Sequence, residues 1–374
     1  MKKMTYRTMA GGDRVSLLGF GCMRFPTKGG EIEEARAEKM LDEAMAAGVN
    51  YYDTAYVYHG GKSETFLGKT LVKKYPRDSF YLATKLPMWD VHSVEDAERI
   101  FDVQLSRLGT SYVDYFLFHS MNRDSFKKLK DLNLIALAEK WREQGKLRHI
   151  GFSFHDSYEV FDEMIHHYKW DFCQIQYNYM DTENQAGLKG LTVAEELGIP
   201  VVVMEPIRGG SLVRFPEEIK NEFSAINPSR NLANWALTWV GTHENVKVIL
   251  SGMSTLGQVR DNLKTFRNFA PLTEKEMQGV AGVVDTIRAR VRNGCTGCRY
   301  CMPCPFGVDI PRAFAISNEE AMHGHTEHYK KQYLRGKPET FASRCQSCHA
   351  CEKKCPQHIA IADDLRAVKE LFEN

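Results

Sequence analysis

The sequence has no surplus of charge of either sign: 49 lysines and arginines stand against 48 aspartates and glutamates in 374 residues. Bulk charge therefore gives no reason to expect nucleic acid or an anionic membrane as a partner. No uninterrupted apolar run approaches the roughly 18 residues of a membrane-spanning helix. The first eleven residues carry two lysines but no apolar stretch of signal-peptide length, so a cytoplasmic location is expected. No GxGxxG fingerprint follows a strand-like run, which weighs against an open dinucleotide-binding sheet. Cysteine is scarce over most of the chain, with only Cys22 and Cys173 in residues 1–294. The other eight lie in residues 295–374. The distribution predicts a large cysteine-poor body and a small cysteine-dense appendix.

What the body has is a repeated unit. Short β-rich apolar runs span 18–23, 49–55, 80–86, 113–119, 147–154, 172–179, 200–206 and 246–252. Segments of helical period follow them at 31–47, 62–74, 94–108, 126–144, 157–168, 185–197, 228–242 and 256–268. In the first, Ile32, Ala35, Met40, Leu41, Ala44 and Met45 share a face, and Gly48 is a natural stop. Alternating strands and helices mean βαβ crossovers and a parallel sheet. Eight units in about 270 residues have the size of a closed (β/α)8 TIM barrel, here expected over 1–272. Residues 5–8 and 15–17 read as a hairpin before it.

A barrel's active site lies at the C-terminal ends of its strands. Three apolar strands end there in titratable residues: Asp53, Lys85 and His119, with Tyr58 just beyond the second strand. A phenol titrates near pH 10 and alone is a poor acid at neutrality. A lysine ammonium beside it favours the phenolate, and a carboxylate holds that lysine charged. A histidine can hydrogen-bond a carbonyl oxygen. Together the four groups suit protonation of a carbonyl as a hydride arrives at carbon.

In order, spacing and strand placement, Asp53, Tyr58, Lys85 and His119 resemble the catalytic tetrad of the aldo-keto reductases. The resemblance runs from residue 4 to about 270. It implies an NAD(P)-dependent oxidoreductase that reduces an aldehyde or ketone, with NADPH or NADH as cofactor. It also implies the cofactor contacts. Ser153 in Gly151-Phe152-Ser153 and Gln174 would hold the nicotinamide amide, and Met204 would pack on its ring. Pro206, Ile207 and Gly209 would approach the pyrophosphate; Gly252, Ser254 and Asn262 would hold the adenosine end. Many relatives have serine-asparagine where this chain has Ser153-Phe154-His155, and a tyrosine where it has Met204. The nearest base to the adenosine end is Arg260, so the choice of cofactor stays open. Phe25, Tyr56, Trp89 and Trp170 are aromatic candidates for the substrate pocket, with core packing as the alternative for each.

The late cysteines form two runs, Cys295-x2-Cys298-x2-Cys301-x2-Cys304-Pro and Cys345-x2-Cys348-x2-Cys351-x3-Cys355-Pro. Three cysteines at this spacing wrap a corner of a cubane, and the fourth reaches the other cluster, as in two-cluster ferredoxins. The first run is one residue short of that pattern. The assignment puts Cys295, Cys298, Cys301 and Cys355 on one [4Fe-4S] cluster, and Cys345, Cys348, Cys351 and Cys304 on the other. Disulfides do not suit a cytosolic chain, and four cysteines in ten residues, twice, crowd a single zinc ion. Structural and electron-transferring clusters both stay open. His323, His325 and His328 read as part of a solvated helix or loop. Residues 273–293 read as a helical connector, and 294–374 as a small α-rich ferredoxin-like iron–sulfur domain. The whole resembles the branch of the aldo-keto reductases that carries such a domain.

The leading expectation is therefore a carbonyl reductase with clusters in a supporting or sensing role. An electron-transfer protein with a ferredoxin-like partner is the first alternative, and a nicotinamide-binding regulatory barrel the second. Neither nucleic acid nor membrane is expected as a partner. Cys22 and Cys173, on barrel strands, are expected to be buried and inert.

Overall fold

The computed structural model describes residues 3–374. Two compact units emerge: the chain up to Gly209 with Ala233–Thr273, and Gly210–Leu232 with Glu274–Asn374.

The first unit is a closed barrel of eight parallel strands, Leu18–Gly21, Tyr51–Asp53, Tyr81–Pro87, Val113–Met121, Leu147–Phe154, Phe172–Gln176, Val201–Met204 and Val246–Ser251. Each pairs with its neighbours in sequence. The eighth closes on the first through Ile249 opposite Leu18 and Leu250 opposite Gly19. Tyr51, Ala83, Tyr115, Leu117, Phe172, Val202 and Val248 form one buried cluster with Met9 and Val15 of the N-terminal segment. Because side chains alternate along a strand, that inward set fixes which neighbours emerge at the mouth. A hairpin of Tyr6–Thr8 and Arg14–Ser16 carries Met9 and Val15. Its turn residue Asp13 accepts from the Tyr115 hydroxyl at 2.8 Å and meets His149 Nε2 at 3.1 Å.

Several elements differ from the sequence reading. The segment 126–144 is two helices, Arg123–Asp131 and Leu134–Glu143. Asn133 between them is left-handed at φ 48°, a conformation asparagine tolerates better than most residues. The helix placed at 31–47 starts only at Glu34, because Thr27–Lys28 and Glu31–Ile32 pair as a small hairpin. A helix at Glu217–Ile226, unforeseen in the sequence, belongs to the second unit although it lies inside the span read as barrel.

The second unit is helical: Glu217–Ile226, Glu274–Ala289, Ile310–His323, Thr326–Leu334 and Ile361–Phe372. Helix Glu274–Ala289, the expected connector, buries Val280, Val283, Val284 and Ile287. Burial of such a side chain is worth roughly 1.5–3 kcal/mol. Its Glu276 accepts from Arg230 Nε at 2.9 Å and Asn227 Nδ2 at 3.0 Å, tying it to the chain after helix Glu217–Ile226. Val308, Ile310, Phe314, Tyr333, Leu365 and Phe372 form a core against which six of the eight late cysteines pack. His323 is a correction: it is buried and stacks on Phe215 at 5.1 Å instead of facing solvent, whereas His325 and His328 are exposed.

Candidate active site and the cysteine cavities

The barrel brings the four tetrad residues to one mouth. Register sets Asp53 opposite Ala83, two residues before Lys85, and Pro87 opposite His119. Tyr58 opens a helical turn beyond the second strand, followed by three left-handed residues, His59, Gly60 and Gly61. That turn folds the phenol back over the strand ends.

Lys85 is wholly buried. Its Nζ lies 2.6 Å from Asp53 Oδ1, 2.7 Å from the Thr54 carbonyl and 3.4 Å from the Tyr58 oxygen. An ammonium has three N–H donors, and these partners engage all three. Tyr58 therefore accepts from lysine, and its own O–H is left free. Burial alone would lower the Lys85 pKa; Asp53 and then Tyr58 overcome it, so the ammonium stands above its ordinary value. Burial raises the Tyr58 phenol, and Lys85 partly offsets it. The His119 ring sits 6.0 Å from that of Tyr58, edge-on, and 5.1 Å from that of Trp89. Burial, then the Lys85 charge, pushes His119 down to about 3. It is neutral at working pH.

A pH profile follows. A phenol with a raised pKa stays protonated through neutrality, and the depressed histidine has already lost its proton. Carbonyl reduction is expected to be flat from about pH 5 to 9 and to fall only as pH climbs through the Tyr58 pKa. An inflection near pH 6.5 that a His119→Gln variant abolishes would contradict this placement.

The expected cofactor residues lie at the same end of the barrel. Register pairs Gln174 with Ser153, and Gln174 Nε2 meets Met204 Sδ at 3.4 Å. Ser153 Oγ accepts from Ser120 N at 2.8 Å, leaving its hydroxyl proton available. Gln174 Oε1 is buried with no hydrogen-bond partner. A buried acceptor of this kind needs a donor, and a carboxamide N–H fits it. Pro206, Ile207 and Gly209 follow the seventh strand in a turn with left-handed Glu205, Arg208 and Gly209. Gly252 lies beneath Arg24, where a Cβ would meet Arg24 Cγ at 2.5 Å. Ser254 Oγ donates to the Arg24 carbonyl at 2.7 Å. Asn262 is buried and donates to Ser251 Oγ at 2.7 Å, so its amide N–H already serves the strand end. Arg260 is engaged by Glu43 at 2.7 and 3.1 Å.

Of the aromatic candidates, Phe25 and Trp170 are buried core residues. Tyr56 lies under the Arg107 guanidinium at 4.3 Å. Trp89 alone is exposed, at 47%, beside His119. Phe154, the residue after Ser153, turns into the core, and His155 Nδ1 meets Gln185 Oε1 at 3.2 Å. Cys22 and Cys173 are fully buried, and burial pushes both thiols up, as an inert role requires.

In the second unit the cysteines surround two cavities. One is lined by Cys295, Cys298, Cys301 and Cys355. The other is lined by Cys304, Cys345, Cys348 and Cys351. Each run thus lends its fourth cysteine to the other's cavity. Among the described residues, no three His, Cys, Asp or Glu side chains converge as a single-ion site would. Four thiols spread around each cavity, with no three converging on one point, fit a cubane better than one tetrahedral zinc. Left-handed Gly297, Arg299, Ser347 and His349 bend the loops around the cavities, and Ser347 N donates to Cys345 Sγ at 3.4 Å.

The model of the aldo/keto reductase family matches residues 17–285. The chain belongs to the aldo/keto reductase family. As a member it is an NAD(P)-dependent oxidoreductase. A 4Fe-4S dicluster domain model matches residues 294–360, so this aldo/keto reductase carries an iron–sulfur domain after its barrel. It is similar to an L-galactose dehydrogenase of Arabidopsis thaliana, 26% identical over 300 residues, covering 75% of this chain and 92% of the relative. An NADH-specific methylglyoxal reductase of Escherichia coli is 25% identical over 286 residues, covering 64% of this chain and 85% of the relative. Among solved structures, an aldo-keto reductase from Bacillus halodurans matches with a TM-score of 0.64 at 27% identity, covering 75% of this chain and 96% of that one. No helix among the described residues is long and apolar enough to cross a membrane.

The sequence reading missed what stands behind the tetrad. Glu64, Gln104 and Arg107 form a network against the third strand, largely buried. A Ser-Glu pair just after the tyrosine turn was its only local trace.

Proposed function

We propose that this protein reduces an aldehyde or ketone to the alcohol with NADPH or NADH, Tyr58 giving the proton, and that its C-terminal unit holds two [4Fe-4S] clusters. The observation that carries the first part is the saturated Lys85 ammonium, which donates to Tyr58 at 3.4 Å and leaves the phenol's own proton free. When bound, the nicotinamide supplies a hydride. Tyr58 O–H protonates the carbonyl oxygen as charge builds on it. Lys85 stabilises the phenolate left behind, and Asp53 holds Lys85 charged. Neutral His119 donates a hydrogen bond that orients the carbonyl. Hydride and proton together make the alcohol, and the phenolate regains its proton from water. Ser153 and Gln174 hold the carboxamide, and Met204 packs on the ring. Pro206, Ile207, Gly209, Gly252, Ser254 and Asn262 line the path to the adenosine end. Trp89 forms part of the substrate wall.

In the second unit, Cys295, Cys298, Cys301 and Cys355 ligate one cluster, and Cys304, Cys345, Cys348 and Cys351 the other. A second reading draws on the exposure of Cys298 and Cys348, one from each cavity. Each would open a cluster edge to a ferredoxin-like partner.

One anaerobic experiment separates the readings. Titration of the purified protein with NADH and with NADPH is expected to leave the clusters' visible absorption unchanged. Adding a panel of aldehydes and ketones then consumes the nicotinamide. Bleaching of the visible band before any carbonyl is added would favour the electron relay, and no consumption with any carbonyl would remove the reductase reading.

A further inference from the structure

Behind the tetrad stands a buried carboxylate that touches none of its four side chains. Glu64, on helix Lys62–Leu67, is wholly buried. Its Oε1 accepts from Thr84 Oγ1 at 2.7 Å and from Gln104 Nε2 at 2.9 Å. Its Oε2 accepts from Arg107 at 3.3 Å. Burial raises the Glu64 pKa, and the hydrogen bonds from Thr84, Gln104 and Arg107 oppose that rise. A buried carboxylate with three donors is an expensive arrangement to leave incomplete.

Each of those donors also grips one half of the catalytic pair. Gln104 Nε2 lies 3.0 Å from the Lys85 carbonyl, and Thr84 is the residue before Lys85. Arg107 donates to the Tyr56 carbonyl at 3.1 Å and stacks over the Tyr56 ring, two residues before Tyr58. The same guanidinium underlies the end of the tyrosine turn. A Cβ on Gly61, left-handed at φ 87°, would sit 3.3 Å from it. The helical turn that follows the Glu64 helix also comes close to the Arg107 backbone: a Cβ on Gly68 would lie 2.5 Å from the Arg107 carbonyl oxygen. The strand that carries Lys85 and the turn that carries Tyr58 therefore hang from one post.

We propose that Glu64, Gln104 and Arg107 are positioning residues that set the separation of Lys85 from Tyr58, and through it the acidity of the phenol. This rests on Tyr58 being the proton donor, but its test does not need turnover. Tyr58 is titrated through its near-ultraviolet phenolate absorbance, taken as wild type minus Tyr58→Phe. Arg107→Met releases the tyrosine turn, and with Lys85 further away the phenol is less favoured as phenolate. Its titration should move up by roughly one pH unit. Carbonyl reduction should fall in kcat, with KM and the NADPH dissociation constant little changed, because the network's hydrogen bonds reach none of the residues proposed to hold the cofactor. Arg107→Lys keeps the charge and should recover part of both effects. Gln104→Met, which frees the Lys85 carbonyl instead, supplies the same readout if Arg107→Met does not fold. An unmoved phenol titration in a folded variant, even one with a lower melting temperature, would mean that the network only holds the fold. If the wild type lacks Tyr58-dependent turnover but the phenol shifts in Arg107→Met as described, the reductase reading fails and this one stands.

Discussion

Replacing Tyr58 with phenylalanine is expected to cut carbonyl reduction by about 10²–10⁴-fold, the usual contribution of a positioned proton donor. At 1.36 kcal/mol per tenfold, that is about 3–5 kcal/mol of barrier. Phenylalanine keeps the ring, its edge contact with His119 and its place under the Lys85 ammonium at 4.9 Å. Only the hydroxyl goes. Lys85 retains Asp53 and Thr54 but, being buried, loses its third acceptor, so folding stability should fall by about 1–3 kcal/mol. NADPH affinity, read by fluorescence titration, should stay close to wild type, because the amide-holding residues Ser153 and Gln174 lie on other strands. Turnover near the wild-type rate would remove Tyr58 from the chemistry. A collapse of cofactor affinity would assign it a binding role instead.

The second large effect concerns the cysteines. Cys355→Ala should abolish the same cluster as Cys295→Ala, although the two residues sit in different runs. Cys304→Ala should match Cys345→Ala. Each variant should drop from about eight irons per chain to about four, and the two classes should differ in their electron paramagnetic resonance spectra after reduction. The pairing follows from the cavities, each with three cysteines of one run and one of the other. Folding should suffer as well. The cysteines pack against Val308, Ile310, Phe314 and Leu365, so an empty cavity opens the core of a small unit. Variants that group by run, with Cys355→Ala matching Cys345→Ala, would overturn the crossed assignment.

Much of this was readable in sequence, for a local reason. A parallel barrel strand is a short apolar run, and a functional residue at its end breaks that run where the eye can find it. Asp53, Lys85 and His119 each do so. The cysteine runs were equally plain, since cluster ligation is written in spacing. What escaped depends on residues distant in the chain. Glu64 looks like the polar side of a surface helix, and only Gln104 and Arg107, forty residues on, make it buried. Helix Glu217–Ile226 lies between barrel elements, and no periodicity says that its partner is Glu274–Ala289. Phe25, Trp89 and Trp170 are alike as residue types. Whether an aromatic faces the core or the mouth is decided by the side of a strand or turn from which it leaves. His323 reads as solvated because the polar run to His328 follows it, whereas it is buried against Phe215, more than a hundred residues earlier.

The crossed cavities also impose an order in time. Along the chain the two ligand sets are nested: Cys304 to Cys351 lies wholly inside Cys295 to Cys355. On the proposed ligation, the inner site has all four sulfurs once Cys351 has left the ribosome. The outer site, though its first three sulfurs emerge before any other late cysteine, waits for the last. The site begun first is thus finished second, and a chain truncated between Cys351 and Cys355 would keep one complete four-thiol set and one open three-thiol corner.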